Sequence, residues 1–376
     1  MSGIKAPLRS ARRRVRRGIE QVQNSMRFLR QRKNGELPHL IYVGGWHNHA
    51  NLGDEALIAA YRRILPGFHL VEYMGGWTQS LLKRLYPPDQ PAVLGGGTLI
   101  NYGHGWTSVT ESFLATQSNI ACFGTGVQDT AFFAERDPRW EDRSDRWKRM
   151  LGRFRYLGVR GPLSAKAIAE WGMEAEVIGD PVLSFARETP DPRPVRPKTL
   201  GLNISSSTLT YGSTQSTVDE FARLASLAKG EGWMVEWHVV YPEDLPLTRL
   251  AAESSGTQQA IIENYTDTLR FISDVGQLTA FAGTKLHAVI LSVCAAVPSF
   301  MVEYQPKCRD FMLSVEQGEA SVRADQFRAA SAWQTIRPWA DHREQFQSKL
   351  LASVVRLKKR QLQRAAEIFP SPADRR

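Results

Sequence analysis

His39-Leu-Ile-Tyr-Val-Gly-Gly-Trp-His-Asn-His-Ala-Asn-Leu-Gly-Asp-Glu-Ala-Leu57 runs from a short apolar segment through a glycine turn into a helix start. The apolar run has the length and β-branched content of a buried strand, and Gly44-Gly45 lets the backbone approach closely where it ends. Asp54 and Glu55 then fall in the first helical turn, where acids meet the positive end of the helix dipole. Helix capping alone accounts for that placement, so a chemical role for either acid needs support from elsewhere in the chain.

The same unit recurs. Strand-like runs stand at His69-Leu-Val-Glu-Tyr, Ala92-Val-Leu-Gly, Asn119-Ile-Ala-Cys-Phe-Gly, Arg155-Tyr-Leu-Gly-Val-Arg and Ala175-Glu-Val-Ile-Gly, with helical patterns such as Asp54 to Leu65 and Ser164 to Trp171 between them. Glu188-Thr-Pro-Asp-Pro-Arg-Pro-Val-Arg-Pro-Lys198 suits neither helix nor central strand and reads as a linker. Alternation then resumes with Thr199-Leu-Gly-Leu-Asn-Ile, a helix over 218–229, Trp233-Met-Val-Glu-Trp-His-Val-Val, Ala260-Ile-Ile-Glu, Leu278-Thr-Ala-Phe-Ala and Ser299-Phe-Met-Val-Glu. A charged helix over 342–367 closes the chain. This pattern predicts an α/β protein of two doubly wound, Rossmann-like domains with mostly parallel sheets, facing each other across a cleft. The expected divisions are a basic tail (1–37), an N-terminal domain (38–187), the linker (188–198), a C-terminal domain (199–340) and a helix with tail (341–376). Ligands are expected at the carboxyl ends of the strands.

At 376 residues the chain is too long for one ordinary core. Its net charge of +10 is local: residues 1–33 hold eleven Lys or Arg and one acid, Glu20, while the remainder holds 37 bases and 37 acids. A neutral body does not support nucleic acid as a partner. The tail has no apolar segment after its arginines, which makes it a poor signal peptide, and its charge suits an anionic membrane surface or a solvated arm. No run reaches 18 continuous apolar residues. Cys122, Cys294 and Cys308 lie far apart without metal-site spacing, which points to buried thiols in a reducing cytoplasm.

Chemistry concentrates at strand ends. Ala282-Gly283-Thr284-Lys285-Leu286-His287 hands a strand over to the apolar helix that starts at Ala288, so unpaired helix N–H groups, a mobile cation and a side chain titrating near neutrality converge. Arg160, followed by a Gly-Pro break, is placed to fork a carboxylate or phosphate. Gly95-Gly96-Gly97-Thr98, Asn101-Tyr-Gly-His104 and Gly124-Thr-Gly126-Val-Gln128 end further strands. His47 and His49 are two apart in a loop near Asp54, a spacing more typical of solvated histidines than of a metal site.

In order, Asn51-Leu-Gly-Asp-Glu-Ala-Leu, Gly95-Gly-Gly-Thr-Leu, Gly124-Thr-Gly-Val-Gln, Val159-Arg160 with Ser164, Gly179-Asp-Pro-Val-Leu183, Asn203-Ile-Ser and Leu286-His287 resemble the polysaccharide pyruvyltransferase family. The resemblance runs from Gly44 to about Pro306 and rests on order rather than on one motif. It implies a fold similar to two-domain GT-B glycosyltransferases and transfer of a pyruvyl ketal from phosphoenolpyruvate to two hydroxyls of a sugar, in a polysaccharide or its lipid-linked precursor, releasing phosphate. A role in exopolysaccharide biosynthesis for the cell envelope follows, in the cytoplasm or peripheral to the inner face of its membrane. Phosphoenolpyruvate would be a co-substrate, with no cofactor and no metal demanded by the chemistry.

The resemblance implies His287 as the catalytic residue, with Asp54 or Glu55 as complementary base. It implies Arg160 of the N-terminal domain together with Lys285, Leu286, Thr284 and Gly283 of the C-terminal, donor-side domain as donor-binding residues, and Asn51, Gly96, Gly97, His104 and Gln128 as acceptor-binding residues. Lys285 stands where the family has an arginine, so charge is kept and the bidentate fork is lost. Two other readings compete. A GT-B glycosyltransferase using a nucleotide sugar would want a ribose-binding acid after the same helix, for which Glu303 is the candidate. A non-enzymatic membrane-associated adaptor would act through residues 1–33 and leave the strand-end polar residues without a purpose.

Overall fold

The computed structural model describes residues 22–33, 37–44, 49–101 and 103–370; residues 1–21 of the basic tail and His47 lie outside it. Among the described residues twelve strands form two six-stranded, wholly parallel sheets. The first contains β1 (His39–Val43), β2 (His69–Tyr73), β3 (Ala92–Leu94), β4 (Ile120–Thr125), β5 (Leu157–Val159) and β6 (Glu176–Val177), in the order β2-β1-β3-β4-β5-β6. The second contains β7 (Thr199–Asn203), β8 (Met234–Val239), β9 (Ile261–Glu263), β10 (Ala280–Gly283), β11 (Ser299–Glu303) and β12 (Ser321–Arg323), in the order β12-β11-β10-β7-β8-β9.

Each order reverses direction once, between β1 and β3 in the first sheet and between β7 and β10 in the second. At such a reversal the two flanking crossover connections leave for opposite faces, opening a crevice beyond the strand carboxyl ends. The loops entering those crevices are the glycine turns after β1 and β3 and the Lys285–His287 segment after β10. β12 escaped the sequence reading because a three-residue, half-buried edge strand has too few apolar positions to show a period.

One helix serves two cores. Leu52–Ile64 turns Ile58, Tyr61 and Ile64 toward the first sheet, while Leu52, Ala56, Leu57 and Ala60 join the large cluster built on the second sheet. Its first N–H, at Leu52, is satisfied across the interface by the carbonyl of Val240 at 3.0 Å. The C-terminal helix Arg343–Ile368 makes a second crossing. Leu350, Val354 and Leu357 pack into the second-sheet core, and Ala365 with Phe369 packs against the first. Gln361, fully buried in this helix, donates to the carbonyls of Ile178 (2.9 Å) and Asp180 (2.7 Å). The three cysteines are buried and free.

Because both carbonyls are buried and share that one amide, Gln361→Leu is expected to destabilise the fold by about 1–3 kcal/mol. Urea unfolding of the variant beside the wild type reads this; coincident midpoints would refute the role.

Candidate functional site

A cavity of about 380 Å³ opens where the two lobes meet, lined by strand-end residues of both. From the first lobe come Asn51, Asp54, Gly96, Gly97, Thr98 and Arg160; from the second come Lys285, Leu286, His287, Tyr304 and Lys307. Helices Leu52–Ile64, Leu286–Cys294 and Pro306–Ser314 all begin at its wall, so three positive helix ends add to the lysine and arginine charges.

Arg160 follows β5 and is fully buried, 0% exposed. Its Nη1 donates to the Thr98 hydroxyl at 3.2 Å, and its Nε stands 3.5 Å from Asp310 Oδ2. Nε and Nη2 have no hydrogen-bond partner among the described residues, which leaves donors of a buried cation unsatisfied. The side chain is wedged in place: a Cβ on Gly126 would sit 2.3 Å from Nη2. Asp310 in turn accepts from the N–H groups of Leu163 and Ser164 at the start of helix Pro162–Glu170, binding the second lobe to the first.

His287 lies in the first turn of Leu286–Cys294, with its ring packed directly on Gly53. A Cβ at position 53 would fall 2.3 Å from Nδ1. The side chain is 15% exposed while Nε2 is buried, so the ring edge carrying Nε2 faces the interior. There it stands 3.9 Å from Asp180 Oδ2, beyond hydrogen-bond reach, and both atoms lack partners among the described residues. Burial, then the charges of Lys307, Arg160 and Lys285, lower the imidazole pKa to about 3, so the free site holds a neutral ring. Burial raises the Asp180 carboxyl to about 6, against the opposing pull of Arg160 and the Val182 N–H.

The two lysines differ. Lys285 Nζ is 3.2 Å from Asp244 Oδ2 and 4.5 Å above the Tyr241 ring, so much of its charge is already engaged. Lys307 forms no ion pair among the described residues and lies 4.8 Å over the Tyr304 ring. Burial lowers its pKa to about 8; Arg160 and Lys285 push the same way, and Asp54 pushes against them. It is the cation in this cavity most in need of an anion.

Of the residues singled out in the sequence, Asn51, Asp54, Gly96, Gly97, Arg160, Lys285, Leu286 and His287 meet at the cavity. Asn51 caps the helix by accepting from the Gly53 N–H and donates to Asp54 Oδ2 at 2.8 Å, which fixes the carboxylate. Four others do not line it. Glu55, one residue on, is turned about 100° around the helix. Gly283 ends β10, paired with Asn203, and the Thr284 hydroxyl accepts from the Ser205 N–H at 2.6 Å, so both tie neighbouring segments of the second sheet together. Gln128 is buried one strand end away, its N–H donating to Ile100. The His104 side chain is outside what the structure describes. Glu303 is also off the cavity, accepting from the Ser321 hydroxyl at 2.5 Å beside Arg309.

Lys307 and Asp180 were not selected from sequence. Lys307 follows Pro306, the first residue of the helix after β11, so it stands in a first helical turn at a strand end. Asp180 sits inside the quoted Gly179-Asp-Pro segment, but its proximity to His287 joins positions 107 residues apart in the chain. Among the described residues no group of three His, Cys, Asp or Glu could hold a metal ion.

Solved structures share the architecture at low identity. A putative UDP-N-acetylglucosamine 2-epimerase from Listeria monocytogenes aligns with a TM-score of 0.58 at 9% identity, covering 90% of this chain and 98% of that one. The UDP-GlcNAc 2-epimerase from Neisseria meningitidis gives 0.50 at 7%, covering 87% and 100%, and the pneumococcal O-GlcNAc transferase GtfA gives 0.51 at 12%, covering 78% and 60%. Comparison with curated proteins returned no match. At these identities the likeness concerns the fold: two Rossmann-like domains in the GT-B arrangement. The sequence profile for polysaccharide pyruvyl transferase matches residues 51–306, a span that begins with the cavity residue Asn51, and the chain belongs to that family.

Proposed function

We propose that this protein transfers a pyruvyl group from phosphoenolpyruvate to two hydroxyls of a sugar in a polysaccharide or its lipid-linked precursor, forming a ketal and releasing phosphate. The observation carrying this reading is that Arg160, Lys285 and Lys307, the three cations that depress the His287 pKa, surround one cavity of a size for a small trianion. Such a donor would offset those charges, the secondary cause of the lowering after burial, and so shift the His287 pKa upward, toward the protonated form the reaction needs.

In the proposed reaction, proton transfer to carbon 3 of the enol makes carbon 2 electrophilic, and one sugar hydroxyl adds there. The carbon–oxygen bond to phosphate then breaks, and the second hydroxyl closes the ketal. Two hydroxyl protons are lost; one ends on the new methyl group and the other leaves with phosphate. His287 serves as the acid and Asp54, held by Asn51, as the base at the acceptor hydroxyls. Arg160, whose Nη1 bonds to the Thr98 hydroxyl at the cavity wall, turns its charge toward the carboxylate or phosphate, and Lys307 takes the place of the more heavily engaged Lys285 as the free phosphate cation. A shift of about 1 Å would bring Asp180 into hydrogen-bond reach of Nε2, fixing the tautomer and stabilising the imidazolium.

A nucleotide-sugar transferase is favoured less, because Glu303 is committed to Ser321 and Arg309 instead of facing the cavity. Thermal-shift titration separates the two: stabilisation by phosphoenolpyruvate and not by nucleoside diphosphates is expected, and the reverse would overturn the proposal.

Three substitutions test the roles. His287→Ala is expected to reduce acceptor-dependent phosphate release by about 10²–10⁴-fold in a variant that still folds, and a loss of only a few-fold removes it from proton transfer. Lys307→Met should raise the donor KM roughly 10- to 100-fold, the worth of one charge-assisted hydrogen bond; an unaltered KM assigns the phosphate elsewhere.

Asp180→Asn tests the buried carboxyl through pH. Its folded pKa of about 6 exceeds the ordinary 3.8, so the folded state holds the proton more tightly, and that stabilisation is lost as pH rises through 6. Asparagine can keep the bond to the Val182 N–H and does not ionise. The variant should therefore be more stable than the wild type at pH 8 by on the order of 1–3 kcal/mol, with no gain at pH 4, while activity falls at least about tenfold. Equal urea stabilities at both pH values would contradict this.

A further inference from the structure

The helix over 22–33 covers the edge strand of the first sheet and leaves its other side to solvent. Phe28 is fully buried against Tyr86, with ring centroids 5.9 Å apart. Gln31 grips β2 through both ends of its amide, accepting from the Glu72 N–H at 2.9 Å and donating to Glu72 Oε1 at 2.7 Å, and Arg27 pairs with the same carboxylate. This satisfies an N–H that an edge strand would otherwise present to another chain.

On the far side Val22, Met26 and Leu29 are 39%, 55% and 40% exposed. Their spacing of four and three places them in one stripe, which Lys33 continues. At 100° per residue Arg30 and Arg32 flank the stripe on its two sides, and both are exposed. We infer that this face is a docking surface for an anionic lipid bilayer: the stripe enters the interface, the flanking cations meet the headgroups, and the Phe28–Gln31 grip holds the globular body to the membrane.

Charge complementarity selects that occupant. The described helix carries Arg27, Arg30, Arg32 and Lys33 and no acid, so a second copy of this chain would set like charge against like on this face. A basic helix with an exposed apolar centre lies in the plane of an anionic interface, where area burial and electrostatic attraction add. Among the described residues no helix is long and apolar enough to cross a membrane, so this contact would be peripheral. The inference does not rest on pyruvyl transfer, and its readout needs neither donor nor acceptor.

The test is flotation of the full-length protein with vesicles of phosphatidylcholine alone and of phosphatidylcholine with phosphatidylglycerol. Binding to the anionic vesicles only, weakened by salt, is expected. Met26→Asp with Leu29→Asp, both on the solvent side, should lower the partition by at least about tenfold with an unchanged melting temperature. Arg30→Glu with Lys33→Glu should lower it on the order of tenfold or more. Undiminished binding by either pair, equal binding to neutral vesicles, or no binding by the wild type would overturn the proposal. A wild-type dimer in analytical ultracentrifugation that Met26→Asp with Leu29→Asp converts to monomer would also overturn it, assigning the stripe to a second copy.

Discussion

The His287 ring rests on the bare Cα of Gly53, and the relation between the two lobes depends on that contact. No side chain can be added at position 53 without colliding with the imidazole. The same rule repeats on the other side of the cavity, where a Cβ on Gly161 would fall 2.2 Å from the Asp310 carbonyl. Two glycines at helix starts of the first lobe therefore let helices of the second come within van der Waals distance. The bond from Leu52 N–H to Val240 and the two N–H groups capped by Asp310 then hold them there. Close approach at these points brings Arg160 from one sheet and His287 from the other to one cavity.

Bringing them together has an electrostatic consequence. Arginine, two lysines and three helix starts share a small volume with restricted solvent, and the molecule offsets the repulsion with carboxylates placed behind the cations. Asp310 stands behind Arg160, Asp244 behind Lys285, and Asp180 behind His287. Lys307 has no such carboxylate among the described residues, and Arg160 keeps two donors unsatisfied. The neutral state of His287 and the raised pKa of Asp180 are two results of the same burial, which disfavours the charged form of each group.

The departure at position 285 has a structural counterpart. A lysine there reaches Asp244 and the Tyr241 ring, contacts that draw its charge away from the cavity centre. Lys307 approaches from the next strand end over. The cavity therefore holds two point charges from neighbouring strand ends beside the guanidinium of Arg160.

The amino-acid sequence by itself determined the α/β class, the parallel strands and most of the cavity's residues. The reason is physical: buried parallel strands must be apolar, their helices amphipathic, and the polar groups that serve a ligand must stand where strands stop. His287, Arg160, Asn51, Asp54 and the glycine turns were legible on those grounds. Only the tertiary structure decided the strand orders, and with them which strand ends face each other. It alone set Asp180 beside His287, left Lys307 unpaired, turned Glu55 from the cavity, and committed Thr284 and Glu303 to neighbouring strands. These are statements about side-chain direction and through-space charge among residues far apart in the chain. Local periodicity carries no information on such distances, because they are set by how two sheets and a shared helix pack.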